Sequence, residues 1–267
     1  MAENQMSEKQ QEEIMKVGHH WTKHTSAEAD VIRDLCDAFE ASHLSLAQRL
    51  ESFPRHQRRQ VIARFLTKYE IFKLILPVNG SVVECGVFMG GGIVAWSHFS
   101  AILEPYNHTR RVIGFDTFYG FPDVHEKDVL RGVSEHLHEG GLRTDDRILD
   151  EIKQLVAIHD RNRPLGHIPK VELVAGDACQ TIPRYIDEHP HLLVSLLYLD
   201  FDIYEPTKIA LQHLYPRVVK GGIVAFDELN CAEFPGETSA LLETLDLTKV
   251  ELRRFQLDPY ISYFIKG

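Results

Sequence analysis

Along the first part of the chain, apolar residues recur every three or four positions. Val31, Ile32, Leu35, Phe39, Leu46 and Leu50 stand at such intervals between charges, so the stretch from Ser7 to Leu76 reads as helical. After Pro77-Val78-Asn79-Gly80 the pattern changes. Short apolar runs at Ser81–Cys85, Arg111–Phe115, Val171–Val174, Leu193–Leu199 and Gly222–Phe226 alternate with helix-like segments, which predicts a mainly parallel sheet covered on both faces. Near the C-terminus, Val250–Gln256 and Tyr260–Ile265 flank Leu257-Asp258-Pro259. Two strands that close pair only as a hairpin, so the sheet is expected to end in an antiparallel strand.

This divides the chain into an N-terminal helical cap, 1–76, and an α/β domain, 77–267. An insertion, 122–169, breaks the β-α rhythm between the second and third strands. It is polar, rich in His, Asp, Glu and Arg, and its helix candidate is Asp145–Ile158. Insertions of this length are usually lids or binding loops; disorder is the alternative. The basic run Arg55-His56-Gln57-Arg58-Arg59-Gln60 reads as a solvated helix face.

The length of 267 residues suits one large domain with a helical extension, and 44% hydrophobic with 25% charged residues is ordinary globular composition. Met1 to Lys16 lacks a signal-peptide pattern, and no apolar run nears the ~18–20 residues that span a bilayer. A cytoplasmic protein with no membrane partner is expected. Cys36, Cys85, Cys179 and Cys231 are far apart, without CxxC pairing, and read as small buried hydrophobes in a reducing compartment. A net charge of −10 argues against nucleic acid as a partner. The 15 histidines are scattered, with no HExxH spacing.

Candidate chemistry gathers at the predicted strand ends. VVECGVFMGGG places Glu84 and Gly86 at the end of the first strand and a glycine cluster where a helix should begin. Glycines admit close backbone approach, and a helix N-terminus offers free N–H groups to an anion. Gly90-Gly91-Gly92-Ile93-Val94-Ala95 formally satisfies the dinucleotide pattern GxGxxA, but it begins five residues after Cys85, in the wrong register for NAD. Glu84-x-Gly86-x-x-x-Gly90 instead resembles the E/DxGxxxG motif of class I S-adenosylmethionine (SAM)-dependent methyltransferases; a structural glycine turn is the alternative. The second strand ends in Asp116, followed by Thr117, at the distance for a ribose contact, or for a turn cap. The third runs into Ala175-Gly176-Asp177-Ala178, where methyltransferases commonly place an acid near the adenine amine. Met89 lies within the glycine loop, so the candidate cofactor set is Glu84, Gly86, Met89, Gly90, Asp116, Thr117, Asp177 and Ala178.

Together, VVECGVFMGGG, VIGFDTFYGFP and LLYLDFDIYEPTKIALQHLYPRVVKGGIVAFDE closely resemble the macrocin O-methyltransferase family, from Val82 to about Glu243. Within it, the chain resembles enzymes that methylate a nucleotide-activated deoxysugar such as TDP-rhamnose. The resemblance implies a class I SAM-dependent methyltransferase fold, Rossmann-like, with a mainly parallel seven-stranded sheet. It also implies SAM as methyl donor, a sugar hydroxyl as acceptor in antibiotic biosynthesis, and magnesium or another divalent cation. The implied metal ligands are Asp200, Asp227 and Glu228; in the mechanism read from these acids, Asp200 is also the catalytic residue that takes the proton of the hydroxyl. The family pair is usually Asp-Asp, so Glu228 is a departure.

Carboxylate oxygens suit magnesium, and a bound cation lowers the pKa of an oxygen acid. Asp202 shares a strand face with Asp200 if the extended geometry continues, as a supporting orienter. Solvated acids at a strand end are the plainer reading. For Tyr204 and Glu205, capping and packing of the next helix outrank catalysis. In the insertion, His125, His136, His138 and His159 are candidate bases, and Arg131, Arg143 and Arg147 are candidate diphosphate ligands; each is also read as an exposed polar residue. The apolar faces of the N-terminal helices suit a homo-oligomer or a lid. Competing readings are a catechol-type acceptor, an NAD-linked oxidoreductase, and a non-catalytic SAM-binding protein.

Overall fold

The computed structural model describes residues 26–129 and 136–267. The chain divides into two compact units, Met1–Phe65 and Leu66–Gly267. In the first, α1 is Ser26–Glu40 and α2 is Leu46–Glu51. Ser45 and Gln48 form a reciprocal capping box that satisfies free amides at the start of α2. Arg49 donates to the Phe39 carbonyl at 2.7 Å and lies over the Phe39 ring. The basic run is split between a 3-10 turn, Phe53–His56, and the start of α3, Arg59–Ile75. It is therefore not the single helix face expected, because Pro54 favours the tighter turn's start and breaks the helical register.

In the second unit, seven strands form one sheet among the described residues: β1 Ser81–Cys85, β2 Val112–Asp116, β3 Val171–Ala175, β4 Val194–Leu199, β5 Val218–Phe226, β6 Arg253–Arg254 and β7 Ser262–Ile265. Their order is β3-β2-β1-β4-β5-β7-β6. The first five pair in parallel, while β7 runs antiparallel to β5 and β6 antiparallel to β7. The C-terminal hairpin expected from the spacing is present. Its first strand is only two residues long, and both arginines are exposed, a charged, short edge that resists pairing with further strands.

The helices of this unit are α4 Gly91–Leu103, α5 Ile148–Arg161, α6 Ala178–Glu188, α7 Tyr204–His213 and α8 Gly236–Thr244. Alternation along the strands separates two cores. Val83, Cys85, Ile113, Phe115, Leu197, Leu199, Val224 and Phe226 face α6, α7 and α8. Val82, Val112, Leu196, Tyr198, Ile223 and Ala225 face the second half of α3, through Ile71, Phe72 and Ile75, together with α4 and α5. All residues of β1 and β4 are buried, as central parallel strands require.

Cys85 and Cys231 are buried, but Cys36 is exposed and Cys179 intermediate, so the expectation of four buried cysteines holds for two. Among the described residues, no helix is long and apolar enough to cross a membrane.

Candidate active site

The strand order reverses between β1 and β4, the position at which open α/β sheets leave a crevice beyond their carboxyl ends. Gly86 stands there with φ +97°, and a Cβ added to it would lie 1.8 Å from the Asp200 carbonyl oxygen. Only glycine lets the two strand ends approach so closely. The Asp200 amide donates to the Cys85 carbonyl at 2.8 Å, and the Gly86 amide to Phe115 at 2.9 Å. The glycine loop and the first acid of LDFD are thus locked together by backbone.

Asp116 organises the loop. Its Oδ2 accepts from the Val87 and Phe88 amides at 2.7 and 2.9 Å, and its Oδ1 from Phe118 at 2.6 Å. Thr117 closes the following turn, donating to the Gly120 carbonyl at 2.6 Å. Gly90 is the N-cap of α4, with φ +83°, so the helix N-terminus begins beside the loop. Met89 is exposed. Asp177 caps α6, accepting from the Cys179 amide at 2.9 Å, while Ala178 is buried in the core. Glu84 takes a different course: it is buried, and its Oε1 accepts from Lys68 Nζ at 3.1 Å. Burial pushes the Glu84 carboxyl up, and Lys68 pulls it back.

Beyond β4 and β5 the acids converge. Asp227 is buried and accepts a hydrogen bond from the Tyr198 hydroxyl at 2.5 Å. Glu228, also buried, donates its amide to Glu237 Oε2 at 3.1 Å. Burial raises Glu228 well above the usual carboxylate range; Asp202 hydrogen-bonds it and lowers it, while Asp227, Glu237 and Asp200 raise it further. Glu237 is raised in the same way, by burial and then by Asp200, Asp202 and Asp227. Its Oε1 is buried with no hydrogen-bond partner. Asp202 does not continue the strand. Its φ is +65°, so the shared strand face with Asp200 is not formed; the chain turns there to enter α7, and Asp202 reaches Glu228 from the turn.

Among the described residues, no group of three or more His, Cys, Asp or Glu side chains is arranged to hold a metal ion. The Tyr198 hydroxyl holds Asp227, and Asp202 hydrogen-bonds the Glu228 carboxyl.

The insertion packs against the same edge. Phe121, Val124, Leu137 and Leu142 cluster with Ile203, Cys231 and Phe234. Buried Asp128 accepts from the Tyr204 and His125 amides at 2.7 and 2.9 Å. His125 lies 4.7 Å from the Tyr204 ring centroid, with Nε2 3.8 Å from Glu205. The described part of the insertion is therefore folded structure. Its other candidates point elsewhere: His138 bonds the Glu139 carbonyl, His159 packs on His98, Arg143 pairs with Asp146 and Arg147 with Asp145. The side chain of His136 has a buried ring nitrogen. Arg131 lies outside the described residues. Tyr204 is buried, and its hydroxyl donates to Glu243 at 2.5 Å, a packing role. Three residues escaped the sequence reading: Lys68, Tyr198 and Glu237. Their signal was only a polar group inside an otherwise apolar or helical pattern.

Seven strands in this order, with a glycine loop after β1 and acids after β2, β4 and β5, make the Rossmann-like fold of SAM-dependent methyltransferases. The chain belongs to the macrocin O-methyltransferase family, whose model matches residues 74–242. A crystal structure of the calicheamicin methyltransferase CalS11 is similar at a TM-score of 0.88 and 32% identity, over 91% of this chain and 94% of that one. An apo structure of CalS11, described as a TDP-rhamnose 3'-O-methyltransferase of calicheamicin biosynthesis, gives 0.79 and 31%, over 91% and 97%. The 8-demethyl-8-(2,3-dimethoxy-alpha-L-rhamnosyl)-tetracenomycin-C 4'-O-methyltransferase of Streptomyces olivaceus is 32% identical over 154 residues, 57% of this chain and 53% of that protein. The chain spans about half the length of the curated relatives it matches.

Proposed function

We propose that the chain transfers the methyl group of SAM to a hydroxyl of a deoxysugar, nucleotide-activated or carried as a glycoside, in antibiotic biosynthesis. The observation that carries this reading is the contact of Gly86 with the Asp200 carbonyl, which brings the glycine loop and the acid cluster to one crevice. The rhamnose-directed names of CalS11 and of the Streptomyces olivaceus relative support the acceptor class.

The loop amides and the N-terminus of α4 receive the anionic part of SAM. Asp116 uses three of its roughly four acceptor sites on loop amides and keeps one for a ribose hydroxyl. Asp177, at the start of α6, is the candidate for the adenine amine. Asp200 takes the proton of the acceptor hydroxyl. Around it, burial and the neighbouring acids hold the Glu228 and Glu237 carboxyls well above the usual range. The sugar oxygen then attacks the methyl carbon in line, the C–O bond forming as the C–S bond breaks and S-adenosylhomocysteine leaves, with positioning supplying much of the acceleration.

The need for a divalent cation is a separate element of the proposal, supported by the family resemblance and the hard oxygen donors rather than by their present arrangement; no step above depends on it. Cytoplasmic location is supported by the free cysteines, and homo-oligomerisation by exposed Val31, Leu46, Leu50 and Phe53.

The test is methyl transfer from SAM to a panel of nucleotide sugars, glycosides and catechols, with magnesium or with chelator, alongside calorimetry with SAM, S-adenosylhomocysteine and NAD. Transfer to a sugar hydroxyl is expected. Binding of NAD alone, or transfer confined to catechols, sinks the reading; undiminished turnover in chelator removes the cation from it.

A further inference from the structure

Lys68 is a buried cation of the second unit that the proposed chemistry leaves unexplained. It lies on α3, outside the residues matched by the family model. Its surroundings are specific. Nζ donates to Glu84 Oε1 at 3.1 Å, with both side chains almost fully buried. The same ammonium stands 4.2 Å from the Tyr198 ring centroid and 5.4 Å from that of Trp96. Tyr198 in turn donates its hydroxyl to Asp227.

The first turn of α4 is shaped around this pair. A Cβ on Gly92 would lie 1.8 Å from Glu84 Oε1 and 2.7 Å from Lys68 Nζ. The glycine therefore lets the helix start settle directly on the ion pair. Glu84 belongs to β1, immediately before the Gly86 loop, so whatever fixes Glu84 fixes the base of the loop and the beginning of α4. A cation held against the Tyr198 ring face also fixes the ring whose hydroxyl orients Asp227.

We infer that Lys68 is a positioning residue, coupling the cofactor loop through Glu84 and Gly92 to the acceptor side through Tyr198 and Asp227. This rests on the methyltransferase reading above. The pair is too deeply buried to add much net stability, since buried ion pairs are often replaceable by neutral groups of similar volume. Its geometry instead links the base of the cofactor loop, at Glu84 and Gly92, to Tyr198 and through it to Asp227 on the acceptor side.

The experiment compares wild type, the charge-free double variant Lys68→Met/Glu84→Gln, Tyr198→Phe and the triple combination. Each is measured for thermal midpoint, S-adenosylhomocysteine affinity, and kcat and KM for SAM with the best acceptor. The double variant is expected to keep a midpoint near wild type, to bind S-adenosylhomocysteine about tenfold more weakly, and to lose about tenfold in kcat, within the range a distant misplacement produces. Tyr198→Phe is expected to lower kcat with S-adenosylhomocysteine affinity unchanged. In the triple variant, kcat should fall no further than in the double, because the same link is already broken.

Wild-type affinity and kcat in the double variant would overturn the inference. Should that variant fail to fold, an unchanged kcat in Tyr198→Phe overturns it and a lowered kcat at constant affinity supports it. If wild type itself neither binds S-adenosylhomocysteine nor transfers a methyl group, the functional reading fails first; if it does both and the variants match it, the inference alone fails.

Discussion

The two ends of the parallel sheet treat buried charge in opposite ways. At the amino ends, the Arg110 guanidinium is buried yet fully engaged. It donates to Glu104 at 2.8 Å, to the Gly80, Ile75 and Val78 carbonyls, and to Ser195 Oγ. Cation, carboxylate and carbonyls there balance one another and tie α3, β1, β2 and β4 together. At the carboxyl ends, acids from β4, β5 and α8 crowd one crevice, and one Glu237 oxygen is left without a hydrogen-bond partner. A satisfied buried charge holds a fold; an imbalanced one is poised for a ligand or a proton.

The largest expected effect breaks the carboxyl end. Asp200→Asn or Asp227→Asn should lower methyl transfer by about 10²–10⁴-fold, the usual contribution of a general base, with S-adenosylhomocysteine affinity retained in calorimetry. Loss of binding in both variants would mean that these acids shape the cofactor site instead. Breaking the amino end should act on stability alone. Arg110→Met leaves Glu104 and several carbonyls without their cation, and denaturant unfolding should show a loss of about 3–5 kcal/mol. KM for SAM should stay unchanged in the folded protein, and a raised KM would dissolve the contrast between the ends.

Gly86→Ala joins the two cases, because strain at φ +97° and contact with the Asp200 carbonyl fall on the strand ends themselves. A loss of about 1–3 kcal/mol from backbone strain is expected, accompanied by reduced turnover. The smallest effect is in pH dependence, where the ends should show opposite slopes. Glu237 has a folded pKa raised above its ordinary 4.5, so its contribution to stability is present below about 4.5 and lost as pH rises. Glu237→Gln should flatten that fall in thermal midpoint. Lys170, at the amino end, is lowered by burial to about 8 from 10.5. Its unfolded form holds a proton that the folded form has released, so stability should rise between about pH 8 and 10.5 and Lys170→Met should abolish the rise.

Much of this was legible in residue order. Strand positions followed from apolar runs bounded by glycine and proline, and the hairpin at the end from two runs too close to cross over. The motif acids fell at strand ends because parallel strands finish where their apolar run stops. The fate of each acid was not legible. Glu84 and Asp116 are equally plausible cofactor contacts by spacing, yet one is buried against Lys68 and the other binds loop amides.

The sequence alone therefore determined the α/β class, the family, and the edge of the sheet that carries the polar groups, since these follow from local periodicity and contiguous motifs. Tertiary structure alone decided which charges meet. Lys68 finds Glu84 across 16 positions, and Tyr198 finds Asp227 across 29. Such pairings depend on strand order and helix packing, which place residues side by side irrespective of their separation along the chain.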